Sequence, residues 1–342
     1  MSQIAIIGAG AWGTALSIVL GRKQRHQVRL WTFEKEVCDS INTQRMNALF
    51  LPRHRIPDCV SASGNLAEVL DGAEIVVSAV PSQHCRRLFT EMSPHLSPEM
   101  LMVSATKGLE ERTLSRMSEV IAELTKSRLR VGALSGPTFA VEVARGDPTA
   151  IAIASKDDHL AARVQREFSD PAFRVYTNDD VVGVELGGAL KNIIAIAAGV
   201  CDGLGLGHNS VAALITRGLT EMTRLVVACG GRAETMSGLA GLGDLVLTCT
   251  GGLSRNRSVG VEMGRGRKLP EIIAGMHGMV AEGVFTANAA VQLARARGVE
   301  MPITEQIYAV VNQGKPPREA IHELMTRSSK SELAPRSVAQ QP

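Results

Sequence analysis

Lys191 and Asn192 stand side by side in the middle of residues 184–200, VELGGALKNIIAIAAGV, a run that is otherwise almost wholly apolar. Strong helix formers and the absence of proline predict a helix there. Apolar residues all round predict that it is buried from several sides. A lysine inside such a helix loses hydration, which pushes its pKa down. Brought toward neutrality, it can exchange a proton with a substrate hydroxyl or carbonyl. The alternative is a lysine that snorkels to the surface from an ordinary core helix.

Three further stretches carry groups suited to the same chemistry. Asp244 follows the glycine-rich Ala240-Gly241-Leu242-Gly243 and precedes the apolar Leu245-Val246-Leu247-Thr248. A carboxylate at the edge of an apolar run needs a partner, and Lys191 is the obvious one; an N-cap is the other reading, and both can hold. Gly251-Gly252-Leu253-Ser254-Arg255-Asn256-Arg257 offers guanidinium forks and neutral donors after two glycines. It reads either as a phosphate cradle or as a solvated basic loop. Lys107, in Thr106-Lys107-Gly108, is a candidate for a substrate carbonyl or phosphate, against a solvated loop lysine. Histidines such as His208 and His277 show no ligand spacing, and no metal site is expected.

A second kind of site opens the chain. The apolar run 4–7 leads into Gly8-Ala9-Gly10-Ala11-Trp12-Gly13 and then a helical run. This is GxGxxG between a strand and a helix: Gly8 for the tight turn, Gly10 for close approach of a pyrophosphate, Gly13 for helix–strand packing. The helix N-terminus adds free N–H groups for the phosphates. A strand at 28–31 ends near the expected adenosine ribose, at Thr32, Phe33 and Glu34. Glu34 suits a ribose 2′-OH and thus NAD, whereas Arg29 or Lys35 suits a 2′-phosphate and thus NADP; the residues leave both open.

These sites need a scaffold. Strand-like runs recur at 74–80, 101–105, 131–134, 150–154 and 174–176, mostly with helical stretches between them. The alternation predicts a doubly wound parallel sheet, with its strand ends opening on a cofactor crevice. Residues 46–73 read mostly as loop. After Asp180 strand signals vanish, and helices are expected at 181–199, 210–229, 235–239, 282–297, 305–312 and 317–328. The division is a Rossmann-type domain over 1–180, a helical domain over 181–330 and a flexible tail over 331–342.

Composition narrows the function. Among 342 residues, 45% are hydrophobic, enough for two cores, while a net charge of +3 and 3% aromatics argue against nucleic acid. The six scattered cysteines form no CxxC pair and read as reduced residues of a cytoplasmic protein. No basic leader opens the chain. No uninterrupted apolar run reaches the ~20 residues of a bilayer span.

Together, GAGAWGTAL, SATKGLE, LSGPTFAVEVARG, GVELGGALKNIIAIAAG, AGLGDLVLTCTGGLSRNR and GVEMPITEQIY closely resemble the bacterial NAD(P)-dependent glycerol-3-phosphate dehydrogenase family, to about residue 325. The resemblance implies a Rossmann-type α/β domain plus an all-α domain of the 6-phosphogluconate dehydrogenase-like type. It implies reversible reduction of dihydroxyacetone phosphate to sn-glycerol 3-phosphate with NAD or NADP, for glycerophospholipid synthesis. By motif, Lys191 matches the general acid/base, and Lys107 and Asp244 match residues that bind or polarise substrate and arrange the lysine. Gly136, Thr138, Ser254, Arg255 and Asn256 match substrate contacts, and Asn192 and Thr248 match residues lining the site. Ala11, Trp12, Phe33, Lys107, Ala140, Arg255, Val280 and Glu282 match cofactor positions. Ala11 departs from a common serine, Phe33 from a common basic residue, and Ala281 from the usual VVEG. A homodimer acting on a small phosphate substrate is expected. The rivals are a β-hydroxyacid-type dehydrogenase, whose lysine and asparagine lie four apart where this chain has Ala195, and a non-catalytic dinucleotide sensor.

Overall fold

The computed structural model describes residues 2–276, 280–329 and 331–332. The expected tail over 331–342 therefore lies, beyond its first two residues, outside the described residues, as does His277. Ten strands come first: β1 (Ser2–Ile7), β2 (His26–Trp31), β3 (Met46–Asn47), β4 (Leu51–Arg55), β5 (Val60–Ser63), β6 (Ile75–Ser78), β7 (Leu101–Ser104), β8 (Arg130–Ser135), β9 (Thr149–Ser155) and β10 (Phe173–Asn178). Eight of them form one sheet in the order β10-β9-β8-β7-β6-β1-β2-β5, and β3 and β4 form a small antiparallel pair. β1 runs between β2 and β6, with Ile4 opposite Val28 and Ile75. Apolar side chains on both faces, such as Ile6 and Ile7, are wholly buried under helices, as a parallel sheet requires.

Two expectations need correction. Residues 46–73 are not mostly loop: they hold β3, β4, β5 and the Leu66–Leu70 helix. β5 pairs with β2 at the sheet edge and buries only Val60 and Ala62, so its VSAS sequence carries little apolar signal. The sheet is also not wholly parallel, because β8 and β9 run antiparallel, with Ala133 opposite Ala154. An alternation of strands and helices says nothing of strand direction, which the short Ala140–Arg145 connection sets here.

From Val181 on, every described element is helical. The Val181–Gly203 helix begins at Asp180, whose buried carboxylate accepts from the Gly183 N–H at 2.9 Å. The same carboxylate accepts from the Thr235 hydroxyl at 2.7 Å and so ties in the next helices. By length and composition this helix can cross a membrane, yet 94% of its apolar window is buried inside the protein, which makes it a core helix. It runs four residues past the expected end and is enclosed by the His208–Ala228, Asp244–Thr250, Arg255–Gly264, Glu282–Ala296 and Pro302–Asn312 helices. The Asp244–Thr250 helix is the helix start that the capping reading of Asp244 allows, whereas the Arg255–Gly264 and Leu269–Ala274 helices lie outside the expected helical stretches.

The closest packing is between the core helix and the Arg255–Gly264 helix. A Cβ on Gly199 would lie 2.0 Å from the Arg257 carbonyl oxygen, and one on Gly260 would lie 2.0 Å from that of Ile196. Gly203 and Gly264 repeat the contact one turn on. Small residues at spacing four on both helices let the backbones touch, and this brings Asn256 onto Asn192, the neighbour of Lys191. Gly260→Ala is therefore expected to cost at least about 3 kcal/mol, the upper range of overpacking, in urea denaturation. A cost below about 1 kcal/mol would mean that the crossing is looser than this geometry.

Candidate active site

The glycine loop sits where β1 ends. Gly8 has φ +114°, and a Cβ there would lie 2.9 Å from the Ala79 carbonyl oxygen. A Cβ on Gly13 would lie 1.9 Å from the Gly8 carbonyl oxygen, so the Ala11–Arg22 helix can pack on the strand only with glycine there. Gly10, by contrast, faces open space. Gly10 is the N-cap and offers no side chain, so the helix N-terminus at Ala11 and Trp12 keeps free N–H groups. The buried Trp12 Nε1–H has no partner among the described residues. Open space, free donors and a positive helix end fit a dinucleotide pyrophosphate. At the end of β2, Phe33 is 74% exposed and touches the Trp31 ring, while Arg29 donates to the Glu68 and Asp71 carbonyls at 2.8 and 2.7 Å. Ala140 opens the Ala140–Arg145 helix, and Val280 is half-buried just before Glu282.

In the helical half, Lys191 does not snorkel. It is 6% exposed, and its Nζ donates to Asp244 Oδ1 at 2.7 Å and to Thr248 Oγ1 at 2.6 Å. The Thr248 hydroxyl donates in turn to the Asp244 carbonyl at 2.6 Å, which fixes its lone pairs toward the lysine. Lys107, arriving from the end of β7, donates to the other Asp244 oxygen at 2.6 Å and to the Gly136 carbonyl at 2.9 Å. Its Nζ also lies 3.5 Å from the Thr138 hydroxyl, which donates to Gly136 O. Asp244, 1% exposed, is thus held between two ammonium groups.

Burial lowers the Lys191 pKa to about 8, with the Lys107 charge adding to the shift and Asp244 opposing it. Burial would raise the Asp244 carboxyl, but the two lysines outweigh it and hold it below the ordinary carboxylate range. Asp244 reaches this position from a π-helical turn, Leu239–Gly243. It is the first residue of its helix, not the cap, and its side chain makes no capping bond.

The remaining motif residues divide. Asn256 donates to Asn192 Oδ1 at 2.9 Å and accepts from the Gly283 N–H at 2.9 Å, so both asparagines lie in one buried chain beside Lys191. Ser254 is buried, and its hydroxyl caps the Arg255–Gly264 helix by accepting from the Arg257 N–H at 3.2 Å. Arg255, one residue on, has an exposed surface and no carboxylate within 4 Å among the described residues; partial desolvation of its guanidinium lowers its pKa, and the Glu282 charge opposes that shift. The glycine-rich segment is thus a turn only to Ser254, and Arg255 projects from a helix start.

Sequence reading named Glu282 but missed its partners, and it assigned no role to Glu185 or Ser135. The half-buried Glu282 carboxylate accepts from the Ser82 hydroxyl at 2.8 Å and from Gln83 Nε2 at 3.3 Å, two hundred residues away. Glu185 accepts from the Ser118 N–H at 2.8 Å and from Arg116 at 2.7 Å, tying the core helix to the Met117–Leu124 helix. Neither pairing leaves a local signal. The Ser135 hydroxyl is buried without a partner among the described residues, against Gly188.

Comparison with known proteins places this geometry. The family model for the NAD-dependent glycerol-3-phosphate dehydrogenase N-terminus matches residues 3–161, and that for the C-terminus matches residues 180–322. The chain belongs to this family. It is 67% identical over 335 residues to glycerol-3-phosphate dehydrogenase (NAD(P)+) of Koribacter versatilis, covering 97% of this chain and 99% of that one. The protein of the same name from Geobacter sulfurreducens is 52% identical over 96% of this chain and 98% of its own. The crystal structure of glycerol-3-phosphate dehydrogenase from Coxiella burnetii matches with TM-score 0.92 at 41% identity, over 95% of this chain and 99% of that one. A ketopantoate reductase from Ralstonia eutropha shares the fold at TM-score 0.61 and 17% identity. The Rossmann-plus-helical architecture expected from the motifs is therefore that of the dehydrogenase family.

Asp244→Asn would leave the two ammonium groups facing each other without their anion. It is expected to cost about 3 kcal/mol at pH 7, as loss of one partner from a buried ion cluster does, measured by urea denaturation. A cost under about 1 kcal/mol would show that Asp244 does not hold the lysines in place.

Proposed function

We propose that this protein reversibly reduces dihydroxyacetone phosphate to sn-glycerol 3-phosphate with NADH or NADPH, supplying glycerol phosphate for glycerophospholipid synthesis. The observation that carries the reading is a buried lysine whose Nζ is set between the Asp244 carboxylate and the Thr248 hydroxyl, with Lys107 on the other oxygen of the same carboxylate. The names of the relatives supply the substrate and cofactor class.

The glycine loop, with Gly8, Gly10, Ala11, Trp12 and Gly13, would hold the pyrophosphate of the dinucleotide, which supplies a hydride to the ketone carbon. Phe33, Ala140, Val280 and Glu282 are assigned to the rest of the cofactor. As negative charge gathers on the carbonyl oxygen, the Lys191 ammonium stabilises it and transfers a proton to it. In oxidation, neutral Lys191 takes the proton back from the hydroxyl. Asp244 keeps the amine oriented and, by its charge, keeps the pKa from falling further. Lys107 anchors the far side of Asp244 and, with Gly136 and Thr138, lines the substrate side. Arg255, free of ion pairs among the described residues, is assigned to a phosphate. Ser254, Asn192, Asn256 and Thr248 shape the pocket. As part of the same reading, we divide the chain into a cofactor domain over 1–180 and a substrate domain over 181–330. We also place it in the cytoplasm as a homodimer; six free cysteines suit a reducing compartment, and twofold dimers are the commonest assembly.

Lys191→Ala is expected to keep dinucleotide affinity and to lose about 10³-fold in kcat for dihydroxyacetone phosphate reduction, the scale of a lost general acid. Near-normal turnover would remove Lys191 from the chemistry. The pH profile gives an independent check. Reduction needs the ammonium form, so its kcat/KM is expected to fall as pH rises through about 8. Oxidation of glycerol 3-phosphate needs the free amine, and its kcat/KM is expected to rise over the same range. Parallel profiles in the two directions would contradict the assignment.

A further inference from the structure

Lys107 and Lys191 come from opposite halves of the chain, yet both trace back to the start of the Glu282–Ala296 helix. On one side, the Glu282 carboxylate accepts from the Ser82 N–H at 3.3 Å and from the Ser82 hydroxyl at 2.8 Å. Ser82 is 2% exposed and begins the helix that follows β6. This pair lies against the backbone of Gly108: a Cβ there would sit 2.5 Å from Ser82 Oγ and 3.1 Å from Glu282 Oε2. Gly108 follows Lys107 directly, so the pair bounds the backbone from which Lys107 reaches Asp244.

On the other side, the next residue, Gly283, donates its N–H to Asn256, which donates to Asn192, the neighbour of Lys191. A Cβ on Gly283 would lie 2.6 Å from the Asn192 carbonyl oxygen, so the two backbones are in direct contact. Consecutive residues thus brace both lysines. Every link is a buried or part-buried hydrogen bond or a contact too close for a side chain, so a shift at one end has little slack to absorb it.

We propose that the Glu282–Gly283 junction sets the spacing of Lys107 and Lys191, and that Ser82 is a positioning residue of the active site, acting through Gly108 on Lys107. This rests on the reading of the two lysines given above. Ser82 holds Glu282 against Gly108, Lys107 is kept on Asp244, and Asp244 is kept shared between the two ammonium groups. Without the Ser82 hydroxyl, Glu282 loses its shortest partner, and the Lys107 backbone gains room to move away from Asp244.

The test is Ser82→Ala, with Ser82→Cys as a companion that keeps the volume and weakens the donor. Two readouts separate positioning from mere stability. The first is labelling of Lys107 by a small amine-directed reagent, located by mass spectrometry in protein without substrate. The second is the pH profile of dihydroxyacetone phosphate reduction. In Ser82→Ala, Lys107 labelling is expected to rise, and kcat to fall by roughly up to 100-fold, the cost of misplacing a group by about 1 Å. The basic limb is expected to move to higher pH, because Lys191 then keeps Asp244 with less opposition from Lys107. Ser82→Cys is expected to fall between the two, and it carries the test alone if the alanine variant does not fold. A lower melting temperature with Lys107 labelling and pH limb both unchanged would overturn the proposal. The wild-type control tests the reaction separately: no turnover of dihydroxyacetone phosphate, together with increased Lys107 labelling in Ser82→Ala, would sink the substrate assignment and leave the positioning role standing.

Discussion

A single buried carboxylate shared by two ammonium groups organises this molecule. Removing three charges from water costs several kcal/mol per ion before any attraction is counted. The cost is offset here only because Asp244 receives both lysines at 2.6 and 2.7 Å and Lys191 is also tied to Thr248. Such a cluster has one geometry in which its bonds are all made. The two halves of the chain, one bringing Lys107 and the other Lys191 and Asp244, must therefore meet in one way.

Backbone contact makes that meeting possible. The core helix is lined by Gly187, Gly188, Gly199 and Gly203, and each faces a neighbour too close for a side chain. Gly187 admits the Ala240 carbonyl, which lies on the π-helical turn that delivers Asp244, and Gly188 admits the Ser135 hydroxyl at the end of β8. The same helix thus does two jobs. Its apolar residues fill the core of the second half, and its glycines let the elements bearing Asp244, Ser135 and Asn256 pack directly on its backbone. A longer side chain at these glycines would press on the site as well as on the core.

Much of this was legible in the residues themselves. The apolar run around Lys191 read as a helix, with a buried or a snorkelling lysine both open; Asp244, at the edge of another apolar run, was the obvious partner if the lysine stayed inside. The strand–GxGxxG–helix order carried its own conformational demands, which Gly8 and Gly13 meet. The edge strand β5 and the Arg255–Gly264 helix were not legible, because their sequences, VSAS and RNRSVGVEMG, lack the apolar periodicity that marks an element; neighbours supply the stabilisation that local pattern does not. The antiparallel β9 was hidden for a related reason, since strand propensity has no direction.

What the sequence by itself determined is the chemistry available at each position: a lysine within an apolar helix, a carboxylate at the edge of an apolar run, a strand–GxGxxG–helix turn, and a chain of two characters dividing near Asp180. Those follow from local composition and period, which act over a few residues at a time. The tertiary structure alone decided which groups meet. Lys107 joins Asp244 across 137 residues, Ser82 joins Glu282 across 200, and Asn256 joins Asn192 across 64. Hydrogen bonds and ion pairs act over about 3 Å and leave no trace in sequence spacing when the chain between the partners is folded, so only close packing of whole elements could select them.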